Sequence, residues 1–283
     1  MIKWGRVALY VIAVMLVTPI LLMYAMMVMG AFSTEMVGVI PKDFSLEKWS
    51  FLWTGKLTLP GAAHVKAKLF PNVYKVTLNT LLLALGVSSV EVLLSSMAGY
   101  VISRYKFRGR SALLQFILVL HAFPSISLLI ALYFVLRELN LLNTIIGVIL
   151  TKASLELPLG IWIMKGFYDS IPWELEMAAL VDGLSRLKTW FKIILPNVKP
   201  GIAALSIFAF LSGWSEFLFI LTFIFRETKW TLSMLIRAVI GEWRFVDYHL
   251  LAALSLYYMI PVIIFFLTTQ KYLMRVTIGG VKG

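Results

Sequence analysis

Apolar residues gather into six runs, each close to or beyond the roughly 20 residues a bilayer-spanning helix needs. They cover residues 7–32, 76–103, 111–136, 141–164, 201–225 and 250–270. The second carries Glu91, the fourth Lys152 and Glu156, and the fifth Glu216; the other three hold no Asp, Glu, Lys or Arg. No run alternates apolar and polar positions over ten residues, as the strands of a membrane barrel would. The first run exceeds the roughly 7–15 apolar residues of a secretion signal, so it reads as an uncleaved span. The pattern predicts an all-α integral membrane protein with six transmembrane helices. It divides into 1–72 (first helix and a proline-containing outer loop), 73–272 (the main membrane domain) and 273–283 (a terminal tail).

Between the fourth and fifth runs the period changes. Pro172 suits a first helical turn, and Glu174 and Glu176 follow where a helix dipole favours anions. Trp173, Met177, Leu180 and Leu184 recur at helical spacing. Gly183 can end that helix in a left-handed conformation, and Ser185 can cap the next. Leu187, Trp190, Phe191 and Ile194 then fall at i, i+3, i+4 and i+7, an amphipathic face, and Pro196 is expected to stop it. Two short helices joined at a glycine corner make a compact knob. Such a knob lies on lipid as an interfacial pair, or docks in the groove of a partner protein; periodicity leaves both open.

Composition narrows the class. Of 283 residues 60% are apolar and 14% charged, against roughly 45–50% and 25% for soluble domains; mean hydropathy is +0.90. Net charge is +12, which in a soluble chain would suggest nucleic acid. Here basic residues retained on the cytoplasmic side of a membrane explain it better, and no nucleic-acid partner is expected. With the N-terminus inside, fourteen Lys and Arg fall in inner segments and eleven in outer ones, with Lys152 within the membrane. The short 104–110 loop, four basic residues in seven, weighs most. Both termini are therefore expected in the cytoplasm of a multi-pass cell-membrane protein.

The residues of the knob resemble a known family. Glu176-Met-Ala-Ala-Leu-Val-Asp-Gly183, nine further residues, then Ile193-Ile-Leu-Pro196 is similar to the coupling-helix signature of binding-protein-dependent ABC importer permeases. Arg104-Tyr-Lys-Phe-Arg-Gly-Arg110, Phe123-Pro124, Trp214-Ser-Glu-Phe217 and the terminal Gly279-Gly-Val-Lys-Gly283 resemble the carbohydrate-uptake branch, its smaller permease subunit of the maltose/trehalose type. The resemblance covers roughly residues 70–283. It implies a type I importer fold and inward sugar transport, of a di- or oligosaccharide such as maltose or trehalose, by alternating access. The implied partners are a second homologous permease, two ATP-binding subunits and an extracytoplasmic sugar-binding protein, all around the lipid bilayer. This chain would be a non-catalytic subunit with no bound cofactor or metal, ATP and Mg²⁺ residing on the ATPase subunits. The implied docking residues are Glu174, Glu176, Met177, Ala178, Ala179, Asp182, Gly183, Ile193, Leu195 and Pro196, with Gly279, Gly280 and Lys282 of the tail reaching the ATPase pair. The sequence departs from the pattern at Met177, where the family carries its glutamate. Glu176 stands one residue earlier, a turn of about 100° on a helix.

Ionisable groups inside spans are costly and face protein or water. Lys152 and Glu156, four apart, can pair on one helix face. A pathway for sugar would want hydrogen-bonding groups beside aromatic faces, and Asn79, His121, Glu156, Trp214 and Glu216 are the candidates. Helix packing is the competing role for each. The small pairs Ser95/Gly99 and Ala209/Gly213 allow close helix approach. The 226–249 segment, with Trp230, Trp243, Arg244 and Asp247, is a candidate contact for the binding protein.

The chain has no phosphate-binding Gly-x-x-x-x-Gly-Lys-Ser/Thr loop, no Gly-x-Ser-x-Gly elbow and no cysteine. Energy for transport must come from another chain or from an ion gradient. A gradient-driven secondary transporter, with Glu91, Glu156 and Glu216 as ion ligands, is the alternative reading. It would predict half-to-half self-similarity, and none is visible. A non-transporting membrane scaffold or enzyme component is a further rival.

Overall fold

A computed structural model describes residues 4–59, 68–241 and 246–279. Helix α1 (Trp4–Ala31) leads into a ladder of β1 (Met36–Val37) and β2 (Ile40–Pro41), then α2 (Phe51–Thr54), and a second ladder of β3 (Thr58–Leu59) and β4 (Lys68–Leu69). Helices α3 (Val73–Arg104), α4 (Arg110–His121), α5 (Leu129–Glu138) and α6 (Ile145–Asp169) follow. The knob comprises α7 (Trp173–Val181), α8 (Arg186–Thr189), a π-turn at Trp190–Ile194 and α9 (Leu195–Asn197). The chain ends with α10 (Lys199–Trp214), α11 (Leu218–Phe223), α12 (Leu232–Gly241) and α13 (Tyr248–Gly279). Residues 273–279, assigned above to a tail, thus continue α13.

Among the described residues, four helices are long and apolar enough to cross a membrane alone, and six spans result if each of two bent pairs counts as one. The bends are where the apolar-run reading was too simple. The third run breaks by 90° between Arg110–His121 and Ser125–Glu138. Pro124 is extended (φ −60°, ψ 125°); its ring disfavours a helical Phe123 and it lacks an N–H. The fifth run also breaks: α10 stops at Trp214, and Glu216 sits in the gap. Its carboxylate accepts the backbone N–H of Phe219 at 2.8 Å and so caps α11. Pro196 stands one residue before the knob's second helical stretch ends at Asn197, and the 77° bend to α10 follows.

The chain forms two compact units, Lys75–Met234 with Val262–Gly283, and Met1–Tyr74 with Leu235–Pro261. The first is built around α3, α6 and α10. These approach closely because small residues meet at the crossings. A β-carbon on Gly99 would lie 2.9 Å from the backbone nitrogen of Lys165, and one on Gly213 would lie 2.8 Å from Cα of Ala84. One part of its core gathers Leu83, Val87, Val148, Phe219, Ile220 and Phe223; another gathers Tyr100, Met164, Tyr168, Trp190, Ile194 and Leu205. Near the start of α3, Asn79 donates to the carbonyls of Thr228 and Trp230, both at 3.0 Å, and the Thr80 hydroxyl accepts the N–H of Leu232 at 2.9 Å.

The other unit is held by aromatics. Phe32 stacks on Phe44 and Trp49, Trp49 on Phe51, and Phe51 meets the edge of Tyr257. The Trp49 indole donates to the Ala31 carbonyl at 2.7 Å, so Trp49 is core, whereas Trp53 is exposed. Asp247 caps α13 through the N–H groups of His249 and Leu250 and pairs with Lys48 at 2.7 Å.

Candidate functional site

The knob is fastened to the end of α3 by buried charge. Arg104, the last residue of α3, pairs through Nε with Oε2 of Glu176 at 3.1 Å, the side chains being 5% and 0% exposed. The Tyr100 hydroxyl donates to Oε1 of Glu176 at 2.7 Å. Arg104 also donates through Nη2 to the Ile171 carbonyl at 3.0 Å, and its guanidinium covers the Trp173 ring at 5.4 Å. Glu176 is therefore consumed inside the chain and presents no charge to a partner. Its place in the first turn of α7 suits the dipole, and its orientation follows from the one-residue displacement noted in the sequence.

A second tie holds the other half of the knob. The Trp190 indole donates to the Tyr168 hydroxyl at 3.0 Å, which lies 2.7 Å from the Ser96 hydroxyl of α3. Between the two halves, Gly183 adopts φ +85°. Its N–H donates to the carbonyl of Leu180, and that of Leu184 to the carbonyl of Ala179, both at 3.1 Å. This closes the left-handed corner expected of that glycine. The π-turn divides the amphipathic face read from the sequence. Trp190 and Ile194 turn into the core, and Leu187 and Phe191 turn out.

The knob exposes apolar side chains among charged ones, which include Glu174, Asp182, Arg186, Lys188 and Lys192. Val181 is 87%, Leu187 70% and Phe191 54% exposed. Of the residues expected to dock, Glu174, Ala178, Asp182, Gly183 and Pro196 are exposed, Met177, Ile193 and Leu195 half-buried, and Ala179 and Glu176 buried. Leu187 and Phe191 were part of the amphipathic face read from the sequence; Val181 as an exposed neighbour and Tyr100 and Tyr168 as ties were not. Arg104 counted in the sequence as a topology charge and as part of the Arg104–Arg110 motif, not as a partner for Glu176; its place at the end of a span, beside Tyr100 and Tyr105, was the available signal. Gly279 is the last helical residue of α13, and Gly280 and Lys282 lie outside the described residues, as do Trp243 and Arg244.

A second cluster lies at the broken fifth run. Lys152 of α6 pairs with Glu156 at 3.1 Å and with Glu216 at 3.1 Å. Ser212 donates to Glu156 at 2.9 Å, and the Lys152 ammonium stands 6.0 Å from the Phe219 ring centre. One lysine thus ties α6 to the break between α10 and α11. A cavity of about 240 Å³ opens beside it, lined by Leu120, His121, Phe123, Ser125, Lys152, Leu155, Glu156 and Phe219. His121 and Glu156, named above as path residues, share this wall. Glu216 lies behind Lys152. Trp214 is buried and stacked on Phe210, and Asn79 is bonded to the carbonyls of Thr228 and Trp230; neither lines the cavity.

A profile of the family described as "binding-protein-dependent transport system inner membrane component" matches residues 91–276, which include both clusters. The chain belongs to this family. A putative ABC transporter permease of Streptomyces antibioticus is 34% identical over 206 residues, 73% of this chain and 88% of the relative. The trehalose/maltose transport system permease protein MalG of Thermococcus litoralis is 33% identical over 218 residues, 76% of each chain. A crystal structure of a bacterial ABC transporter that imports alginate superposes with a TM-score of 0.74 over 95% of this chain and 94% of that one, at 20% identity. That likeness establishes the fold, the type I arrangement of an importer permease.

Proposed function

We propose that the chain is the transmembrane permease subunit of an ATP-driven importer that carries a sugar inward, a di- or oligosaccharide of the maltose or trehalose kind. Its partners would be a second permease, two ATP-binding subunits and an extracytoplasmic sugar-binding protein, with the knob and both termini in the cytoplasm. The observation that carries this reading is the knob itself, a helical corner fixed to α3 by two buried polar ties while it exposes Val181, Leu187 and Phe191. A loosely attached interfacial helix would not need an Arg104–Glu176 pair withdrawn from water. Family membership and the relatives' sugar-uptake activities support the substrate class.

In physical terms the knob seats its apolar trio in a groove of an ATPase subunit. When ATP binding rearranges that subunit, the knob moves as a rigid body and carries the end of α3 with it. The coupling is a difference in contact free energy between two ATPase states, which biases the helices between inward- and outward-open arrangements. Glu176 is here a positioning residue. His121 and Glu156, beside the cavity, are the pathway candidates that the geometry favours over Trp214 and Asn79.

The test is reconstitution of the chain with its partner subunits in vesicles, scored as uptake of labelled maltose or trehalose. Uptake is expected only with ATP and binding protein. Val181→Asp combined with Phe191→Asp should release the ATPase subunits during purification. Sugar uptake by the chain alone, driven by an ion gradient, would overturn the proposal.

A further inference from the structure

A groove of about 240 Å³ separates the last turns of α3 from the second half of the knob, away from the Lys152 cluster. Met97, Tyr100, Val101 and Tyr105 form one wall, and Arg186, Leu187 and Trp190 the other. Arg186 is the one charged residue among them, its guanidinium 5.1 Å above the Tyr105 ring. From Met97 to Tyr105 the groove follows the helix for about 12 Å. It leads from the apolar body of a span to its basic end.

Two features of the rim say what fills it. Segments 104–110 and 186–192 carry seven Lys and Arg and no Asp or Glu, and Lys106, Arg108, Lys188 and Lys192 are exposed. Tyr105, exposed at the end of α3, is of the residue type that marks the level of lipid headgroups. An apolar slot at that level under a collar of positive charge complements a molecule with a long hydrocarbon tail and an anionic head. Basic pockets at the ends of spans hold such headgroups. We propose that this groove binds one acyl chain of an anionic membrane phospholipid, with its phosphate on Arg186. The lipid would lie between α3 and α8 and bridge the knob to the span. This inference requires that α3 crosses a membrane and that Arg186 and Leu187 of the knob, the latter shared with the docking trio, lie at its headgroup level; it stands independently of which cargo is carried.

The experiment uses the full-length chain purified from membranes, exchanged into detergent with phosphatidylglycerol or phosphatidylcholine, with retained lipid counted by native mass spectrometry. Phosphatidylglycerol should be retained in preference to phosphatidylcholine. Arg186→Gln should lower its retention about fivefold, the equivalent of about 1 kcal/mol for one basic side chain near a membrane surface. Met97→Trp, which fills the slot and leaves every charge in place, should lower it as well. Both positions are exposed, so both variants should elute and melt like the parent chain. Equal retention of the two lipids, or phosphatidylglycerol retention unchanged by either substitution, overturns the proposal. So does inorganic phosphate bound as tightly as the lipid, because the acyl chain would then contribute nothing.

Discussion

Arg104 and Glu176 are each costly to bury alone and tolerable as a pair, which makes the pair a sensitive place to cut. Removing one partner of a buried ion pair typically costs about 3–5 kcal/mol, because the other charge is left uncompensated. Arg104→Met should therefore lower thermal stability markedly in a detergent melt and free the knob. Glu176→Gln keeps the volume and an acceptor for Tyr100, and should cost less. Asp247 offers a pH test. Burial opposes its ionisation, but the hydrogen bond from Lys48, the N–H of Leu250 and the nearby Lys48 charge outweigh that and hold its carboxyl below the ordinary 3.8. Its contribution is complete above the unfolded value and is lost as pH falls through the lower folded one. Asp247→Asn keeps an N-cap acceptor but not the ion pair. It should lower stability at neutral pH and remove that part of the acid dependence in melts recorded from pH 6 down to 2.

Among the elements, the long helices were legible because about twenty consecutive apolar residues seldom occur in a chain that does not cross a bilayer. Their breaks were not. A run of apolar letters records burial in lipid or protein, not the direction of the axis. Pro124 and Glu216 stand plainly in their runs, yet the first run keeps Pro19 inside a continuous α1, so a proline in a span does not by itself declare a 90° turn. Glu216 read as an intramembrane charge, and its role as a cap for α11 depends on a register visible only in three dimensions. The corner at Gly183 was legible because left-handed backbone favours glycine. A β-carbon there meets nothing within 4 Å, so Gly183→Ala should cost only the backbone strain, about 1 kcal/mol, read as a small downward shift in a thermal melt. Gly99→Val is different: it places atoms against the α6 backbone and should reduce the yield of folded protein, read by size-exclusion chromatography.

For the whole molecule, the transport class was legible because the gapped knob motif coincided with the hydropathy of a multi-span permease. The division of labour within the knob was not. A motif names positions without saying which way each faces, and a π-turn sends two residues of one apparent stripe inward and two outward. The same gap accounts for Trp214, in the sequence a candidate aromatic face for sugar, which the fold uses for packing on Phe210. Helix α3 runs 32 residues without a break, fixed at Asn79 and Thr80 near one end and at Tyr100 and Arg104 near the other. About twenty-five residues of unbroken helix separate Asn79 from Arg104, about 37 Å. A strut anchored at both ends delivers a tilt undiminished across that distance, so a knee inserted midway, for instance by Leu94→Pro, should leave ATP turnover running while cargo stands still.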